Sequence, residues 1–317
     1  MSIPTVKDVL SARSRIALYL LKTPLQYYHS LSEPLGFEVY VKHENYQPTG
    51  AFKIRGGINL ISQLTPEERK KGVITASTGN HGQSVALASK IFGVRAIVCV
   101  AEGANLDKVN AIRSFGAEIV EKGKDYDEAR LNAERLSREQ GYRYIHSGNE
   151  PLLIAGVGTM ALEMLEDQPN LDYVFAPVGA GTAISGVSIV FKAISPETKV
   201  IAVQSENAPS FYLSWKSGKL ESTETAKTIA DGLATRQAFK LPMEIMRGRI
   251  DDFVLVSDDE IRNAIRLYVE KTHTIAEGAG AATLAAAIKI KDVLRGKKIA
   301  VVLSGGNITA KMLKDIL

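Results

Sequence analysis

The residue with the clearest chemical potential is Lys53, in the stretch His43-Glu44-Asn45-Tyr46-Gln47-Pro48-Thr49-Gly50-Ala51-Phe52-Lys53-Ile54-Arg55-Gly56-Gly57. A lysine that opens a helix beside Phe52, with glycines on both sides, has little room to sweep. The positive end of the helix dipole also favours its neutral amine. A neutral amine is a nucleophile suited to condensing with an aldehyde cofactor. The plainer alternative is a surface lysine at a helix start, and on this stretch alone it prevails.

Three further segments shift the balance. Thr75-Ala76-Ser77-Thr78-Gly79-Asn80-His81-Gly82-Gln83-Ser84 follows an apolar strand and precedes an apolar helix over 85–91. Hydroxyls, an amide and free backbone N–H groups at a helix start form an anion site sized for a carboxylate or phosphate. An N-cap turn would need fewer polar positions. Ala176-Pro177-Val178-Gly179-Ala180-Gly181-Thr182-Ala183-Ile184-Ser185-Gly186 also joins a strand to a helix. Its small residues let backbone amides wrap a phosphate. It is no dinucleotide fingerprint, since Ile184 stands where the last glycine belongs, and it lacks the Lys-Ser/Thr ending of a P-loop. A phosphate cradle of another type and a tight turn remain equal readings of it. Val301-Val302-Leu303-Ser304-Gly305-Gly306-Asn307 ends the last apolar run, where Ser304 could offer a hydroxyl to a ring nitrogen or merely turn the chain.

The elements that must position these groups alternate. Strands are predicted at 39–42, 73–76, 96–100, 118–120, 143–145, 173–177, 199–203, 253–256 and 298–303, with helical stretches between. Thr65-Pro66-Glu67-Glu68 and Ser257-Asp258-Asp259-Glu260 carry the capping box of a helix start. Such alternation predicts an α/β fold with mainly parallel sheets flanked by helices. Ligands of such sheets bind beyond the carboxyl ends of strands, where the glycine-rich segments fall. No linker divides the 317 residues, so two domains would require the chain to cross between them more than once.

Composition narrows the partners. Thirty-nine basic and 35 acidic residues leave a net charge of +4 without a basic run, which argues against nucleic acid. The longest apolar runs are too short to span a bilayer, and the N-terminus lacks a signal-peptide pattern. The single cysteine, Cys99, falls in a strand and suits a reducing compartment. A cytoplasmic protein is expected.

Together the four segments resemble the pyridoxal-phosphate enzymes of fold type II (tryptophan synthase β-like), in the threonine/serine dehydratase and serine racemase branch. The resemblance runs from Thr23-Pro24-Leu25 to Ser304-Gly305-Gly306-Asn307. It includes Thr228-Ile229-Ala230-Asp231-Gly232-Leu233 and Ala276-Glu277-Gly278-Ala279-Gly280-Ala281-Ala282. It implies two open, mainly parallel sheets, with residues 1–68 and 150–317 forming a large cofactor domain and 69–149 a small substrate domain. It implies pyridoxal 5'-phosphate held by Lys53, with Phe52 beside it. Gly179, Ala180, Gly181, Thr182 and Ala183 would cradle the phosphate, Asn80 would meet the ring hydroxyl, and Ser304 would face the pyridine nitrogen. Glu277 would lie beside the ring, or simply cap a helix. Ser77, Thr78, Gly79, Asn80 and His81 would grip the substrate carboxylate.

The implied reaction is β-elimination of water from L-threonine or L-serine, giving a 2-oxo acid and ammonia. Lys53 would remove the Cα proton. A hydroxyl partner for the ring nitrogen favours prompt loss of a β-leaving group over transamination.

The sequence departs from the branch in places. Ala180 and Thr182 replace two glycines of its usual run of four. Thr78 stands where racemases carry a catalytic serine and many dehydratases an alanine, so serine racemase activity is an alternative in which Thr78 is catalytic. The positions of the racemase cation ligands fall on Gln204 and Ser210, with only Glu206 nearby, so no metal is expected. His81 stands where β-replacement synthases usually carry threonine, which favours elimination. A 3-hydroxyaspartate dehydratase and a silent cofactor-binding protein are the other readings. Arg236 would read a second carboxylate or form a surface ion pair. The chain ends ten residues after Asn307, so feedback through a C-terminal regulatory domain is not expected. The resemblance implies a homodimer; Trp215, with Phe211, Tyr212 and Leu213, fits either core or interface.

Overall fold

The computed structural model describes residues 2–317. Ten strands run in chain order: β1 (Leu25–Tyr27), β2 (Glu38–His43), β3 (Val73–Ala76), β4 (Ala96–Val100), β5 (Glu118–Glu121), β6 (Arg143–Tyr144), β7 (Tyr173–Pro177), β8 (Lys199–Ser205), β9 (Asp252–Val256) and β10 (Lys298–Leu303). They form a six-stranded sheet, β1-β2-β10-β7-β8-β9, and a four-stranded one, β5-β4-β3-β6. All pairings are parallel except that of β1 with β2. The α/β fold with two mainly parallel sheets is therefore as expected.

All nine predicted strands form, within a few residues at their ends. β1 is an addition. Three residues beside Pro24, without a β-branched run, give no strand signal; Leu25 pairs with Lys42 only because the sheet edge is there. The predicted 85–91 helix starts earlier, at Asn80, so the polar turn is the first turn of Asn80–Ile91. Both capping boxes form. Thr65 Oγ1 accepts from the Glu68 N–H at 3.2 Å and Ser257 Oγ from the Glu260 N–H at 3.1 Å. No helix among the described residues is long and apolar enough to cross a membrane.

The central strands are buried over most of their length, as parallel strands covered on both faces must be. The helix Lys53–Ile61 packs between Asn80–Ile91 and Pro151–Asp167. Its Ile54, Ile58 and Ile61 share one apolar cluster with Val73 and Val98 of the smaller sheet. Small residues bring these helices together. A β-carbon on Gly57 would stand 2.5 Å from Ser84 Oγ, and one on Gly156 would stand 2.6 Å from Arg55 O. The Ser84 hydroxyl donates to Lys53 O at 2.7 Å.

Two residues beyond Lys53 lies a fully buried ionic cluster that the motifs did not announce. Arg55 Nε and Nη2 donate to both oxygens of Glu44 at 2.7 and 2.8 Å. Its Nη1 and Nη2 donate to both oxygens of Glu163 at 2.7 Å each. Lys42 Nζ donates to Glu163 at 2.6 Å and to Thr23 O at 2.6 Å. Two cations face two anions. Burial raises the Glu44 carboxyl, but the Arg55 guanidinium outweighs it and holds the group below the usual carboxylate range. Arg55→Met would leave two buried carboxylates with one cation, Lys42 on Glu163, and strand Glu44; it is expected to cost about 3–5 kcal/mol of stability. The denaturant midpoint measures it; a midpoint equal to wild type would show that Glu44 stays buried without Arg55.

Candidate active site

The carboxyl ends of β3, β7 and β10 open into one cavity of about 1000 Å³ between the sheets. It is lined by Phe52, Lys53, the loop from Ser77 to His81, the loop from Gly179 to Ala183, Glu277 and Ser304. The residues singled out in the sequence thus come together, although Lys53 and Ser304 lie at opposite ends of the chain.

Lys53 is the first residue of its helix. Its Nζ lies 5.1 Å from the Phe52 ring centre and donates to Thr182 Oγ1 at 2.9 Å. Burial lowers the amine to about 8. The sequence pointed to the helix dipole; in the structure desolvation is the cause, because no carboxylate reaches the amine to restore its charge.

The loop after β7 has the form of an anion cradle. Gly181 caps the helix Thr182–Ile194 in the left-handed region at φ +84°, where a side chain would be strained. A β-carbon on Gly179 would collide with Gly232 O at 1.9 Å. Among the described residues, the backbone N–H groups of Gly179, Ala180, Gly181, Thr182 and Ala183 have no protein acceptor. The Thr182 side chain is buried, and its Oγ1 accepts from Lys53, which leaves its own proton to give. Six donors around one point call for an anion with several oxygens.

The loop after β3 is a second such place. Gly79 caps Asn80–Ile91, whose first-turn N–H groups are free of intrahelical partners. Ser77 Oγ accepts from the Gly79 N–H at 3.2 Å. His81 turns its ring away: Nε2 lies 3.0 Å from Thr75 Oγ1 and 3.5 Å from Ile145 O. Burial, with Lys53 nearby, depresses the imidazole to about 3, so it is neutral. What His81 offers an anion is its backbone N–H. Thr78 lines the cavity with its hydroxyl unpaired among the described residues.

Asn80 Nδ2 donates to Glu277 Oε1 at 2.7 Å. Glu277 occupies the N-cap position of Gly278–Lys289, yet its carboxyl makes no cap bond. Burial raises it to about 7, against the lowering effect of Asn80 and Lys108. The Ser304 side chain is buried beside the cavity with no protein partner for its hydroxyl among the described residues, while its carbonyl accepts from the Phe52 N–H at 3.0 Å.

Sequence reasoning missed Asn307 as a site residue, although it closes the Ser-Gly-Gly-Asn segment. It donates to Asn80 Oδ1 at 2.7 Å. At the cavity rim Arg236 pairs with Asp127 at 3.2 Å, and Lys108 pairs with Asp231. Gln204 Oε1 accepts from the Tyr212 N–H, while its buried Nε2 has no partner among the described residues, and Ser210 donates to Thr235 O. Among the described residues no group of three or more His, Cys, Asp or Glu could hold a metal. Phe211 is in the core, whereas Trp215 is half-buried against Phe253.

A family profile described as pyridoxal-phosphate dependent enzyme matches residues 16–305. The chain belongs to that family. It is 43% identical over 313 residues to an L-threonine ammonia-lyase of Thermotoga maritima, covering 99% of this chain and 78% of that one. It is 37% identical over 311 residues to an L-threo-3-hydroxyaspartate ammonia-lyase of Saccharomyces cerevisiae, covering 98% and 95%. Among solved structures it is similar to maize serine racemase, with a TM-score of 0.94, 33% identity and coverage of 99% and 97%. The cofactor is pyridoxal phosphate, and the site fits it. The cradle supplies donors for a phosphate, Lys53 supplies an amine for the aldehyde, and Ser304 supplies an uncharged partner for a ring nitrogen.

The position of the Lys53 amine predicts its reactivity. In cofactor-free protein its rate of condensation with pyridoxal phosphate should rise with pH and level off above about 8. Absorbance of the bound chromophore follows it. A rate still climbing toward the ordinary lysine range would show that burial does not set this amine.

Proposed function

We propose that the protein is an ammonia-lyase that dehydrates and deaminates L-threonine and L-serine to 2-oxo acid and ammonia. The observation that carries this reading is a partly neutral Lys53 amine at the meeting point of two anion sites, one with the donors for a phosphate and one sized for a carboxylate. The relatives named as ammonia-lyases support it.

Pyridoxal phosphate, when bound, supplies a π-system that takes up negative charge developed at the substrate Cα. The other roles belong to this chain. The Ser77–His81 loop binds the substrate carboxylate through its hydroxyls and free N–H groups. Lys53, lowered to about 8, takes the Cα proton at Nζ and is held against Thr182 Oγ1 when free. Asn80 would meet the ring hydroxyl, with Phe52 beside the cofactor. Ser304 would partner the ring nitrogen without charging it, which favours loss of the β-hydroxyl. Gly179 to Ala183 would hold the phosphate. Glu277 would lie beside the ring; its raised carboxyl can carry a proton near neutral pH.

Thr78 motivates a second reading. Its unpaired hydroxyl lines the cavity and makes a racemase side activity on serine chemically available. The wider proposal includes two domains, 1–68 with 150–317 and 69–149. The separation of the two sheets along the chain supports it, with Lys53–Ile61 as their shared wall. It also includes a cytoplasmic homodimer. The buried Cys99 suits a reducing compartment, and Leu18 and Leu21, 77% and 89% exposed, offer apolar surface for a partner.

Purified cofactor-loaded protein tests the reading against L-threonine, L-serine, D-serine and L-threo-3-hydroxyaspartate. Oxo acid and ammonia from threonine or serine, lost on Lys53→Ala together with the bound chromophore, are expected. Turnover of hydroxyaspartate alone would move the substrate class to the dicarboxylic acid. D-serine formation that disappears in Thr78→Ala would establish the racemase activity.

A further inference from the structure

The Asn80 side-chain amide is hydrogen-bonded at both ends. Asn80 Nδ2 donates to Glu277 Oε1 at 2.7 Å, and Asn307 Nδ2 donates to Asn80 Oδ1 at 2.7 Å. The Asn307 backbone N–H favours the charged form of the Glu277 carboxyl. Asn307 is itself fixed. Its Nδ2 also donates to Thr49 O at 2.8 Å, so both amide hydrogens are spent. Its Oδ1 lies over Gly50, where a β-carbon would stand 2.5 Å away. Gly50 has φ +67°, and its carbonyl accepts from the Gly306 N–H at 2.9 Å. The loop that carries Lys53 and the loop after β10 are thus stitched together at Asn307.

This arrangement decides which way the Asn80 amide points. Oδ1 receives a donor from Asn307 and one N–H goes to Glu277. The single polar hydrogen left is the second N–H. An amide turned over would set two N–H groups against Asn307 Nδ2 and an oxygen against Glu277.

We propose that Asn307 is a positioning residue: by donating to Asn80 Oδ1 it holds the Asn80 amide with an N–H directed to the cofactor's ring oxygen. The proposal rests on the reading above that Asn80 meets that oxygen.

Glu277 enforces the same polarity only while ionised. Protonated, it can donate to Asn80 Oδ1 and welcome the reversed amide. Burial places it at about 7; Asn80 and Lys108 favour its charged form and Asp231 opposes it. Asn307 therefore makes the polarity of Asn80 independent of the charge on Glu277. Removing Asn307 should make it depend on that charge.

The test is the dissociation constant of pyridoxal phosphate from cofactor-free protein, by absorbance titration, at pH 6 and pH 8.5. The quantity read is the ratio of variant to wild type, which cancels titrations common to both. For Asn307→Ala the ratio should be about tenfold at pH 6, one lost hydrogen bond to a charged oxygen, and within about threefold at pH 8.5. Adding Glu277→Gln should remove the pH dependence of the ratio. Asn307→Asp presents an acceptor to Asn80 and should weaken binding at both pH values, which keeps the test open if the alanine variant folds poorly. An Asn307→Ala ratio equal at the two pH values would overturn the proposal, as would wild-type affinity in Asn307→Asp. Wild-type protein that binds the cofactor yet turns over no hydroxy amino acid would defeat the ammonia-lyase reading and leave this inference standing.

Discussion

Arg55 is the fixed point of the molecule. It lies two residues after the lysine that would do the chemistry, and it spends four of its five N–H groups on two buried carboxylates. Glu44 immediately follows β2, Glu163 belongs to Pro151–Asp167, and Lys42 lies within β2 itself. Moving the Lys53 helix would leave a charge unpaired in a medium that penalises it by several kcal/mol. The cluster is therefore less a source of net stability than a register mark. Its contribution through Glu44 is present above the ordinary carboxylate range, because the folded-state value is depressed. It is lost as pH falls through that folded value.

The site depends on the fixed helix in an electrostatic sense. Lys53 faces a hydroxyl, a ring and apolar walls, while the nearby acids are engaged with other groups: Glu44 and Glu163 with Arg55, and Glu277 with Asn80. An amine held by a free carboxylate would stay charged and be a poor base. The parallel topology does the rest. β3, β7 and β10 end on the same side, so two helix starts and the Ser304 turn converge on Lys53. Thr182 fits this arrangement better than glycine would, since its hydroxyl links the amine to the cradle.

What the sequence disclosed was local. Nine strands showed through β-branched runs, and the helix starts through caps, because both signals lie within a few residues. The anion loops showed because glycines and hydroxyls crowd one turn. What stayed hidden was long-range. Glu163 lies 108 residues from Arg55, and Thr182 lies 129 from Lys53. Nothing in Lys-Ile-Arg says that the arginine will be buried, and nothing in Gly-Gly-Asn says that the amide will reach Asn80. His81 is a further case: its residue type does not tell that the ring ties β3 to the residue after β6, so that what it offers an anion is its backbone N–H.

The floor and the rim of the cavity are held by contacts of different strength, and this difference bears on how a substrate enters. At the floor, helices meet through glycines at sub-van der Waals spacing for any added carbon, and the Arg55 cluster is sealed from water. At the rim, the smaller-sheet side meets the larger through Lys108–Asp231 and Arg236–Asp127. Both pairs are solvent-accessible, so each is worth about 0–1 kcal/mol. Breaking both costs far less than shifting the floor. The side of the cavity carried by Leu106–Ser114 and Tyr126–Gln140 is therefore the less firmly held wall, and the Lys53 helix the more firmly held one. A reaction that needs one amine placed to within a fraction of an ångström, and a path for water and ammonia to leave, calls for this division.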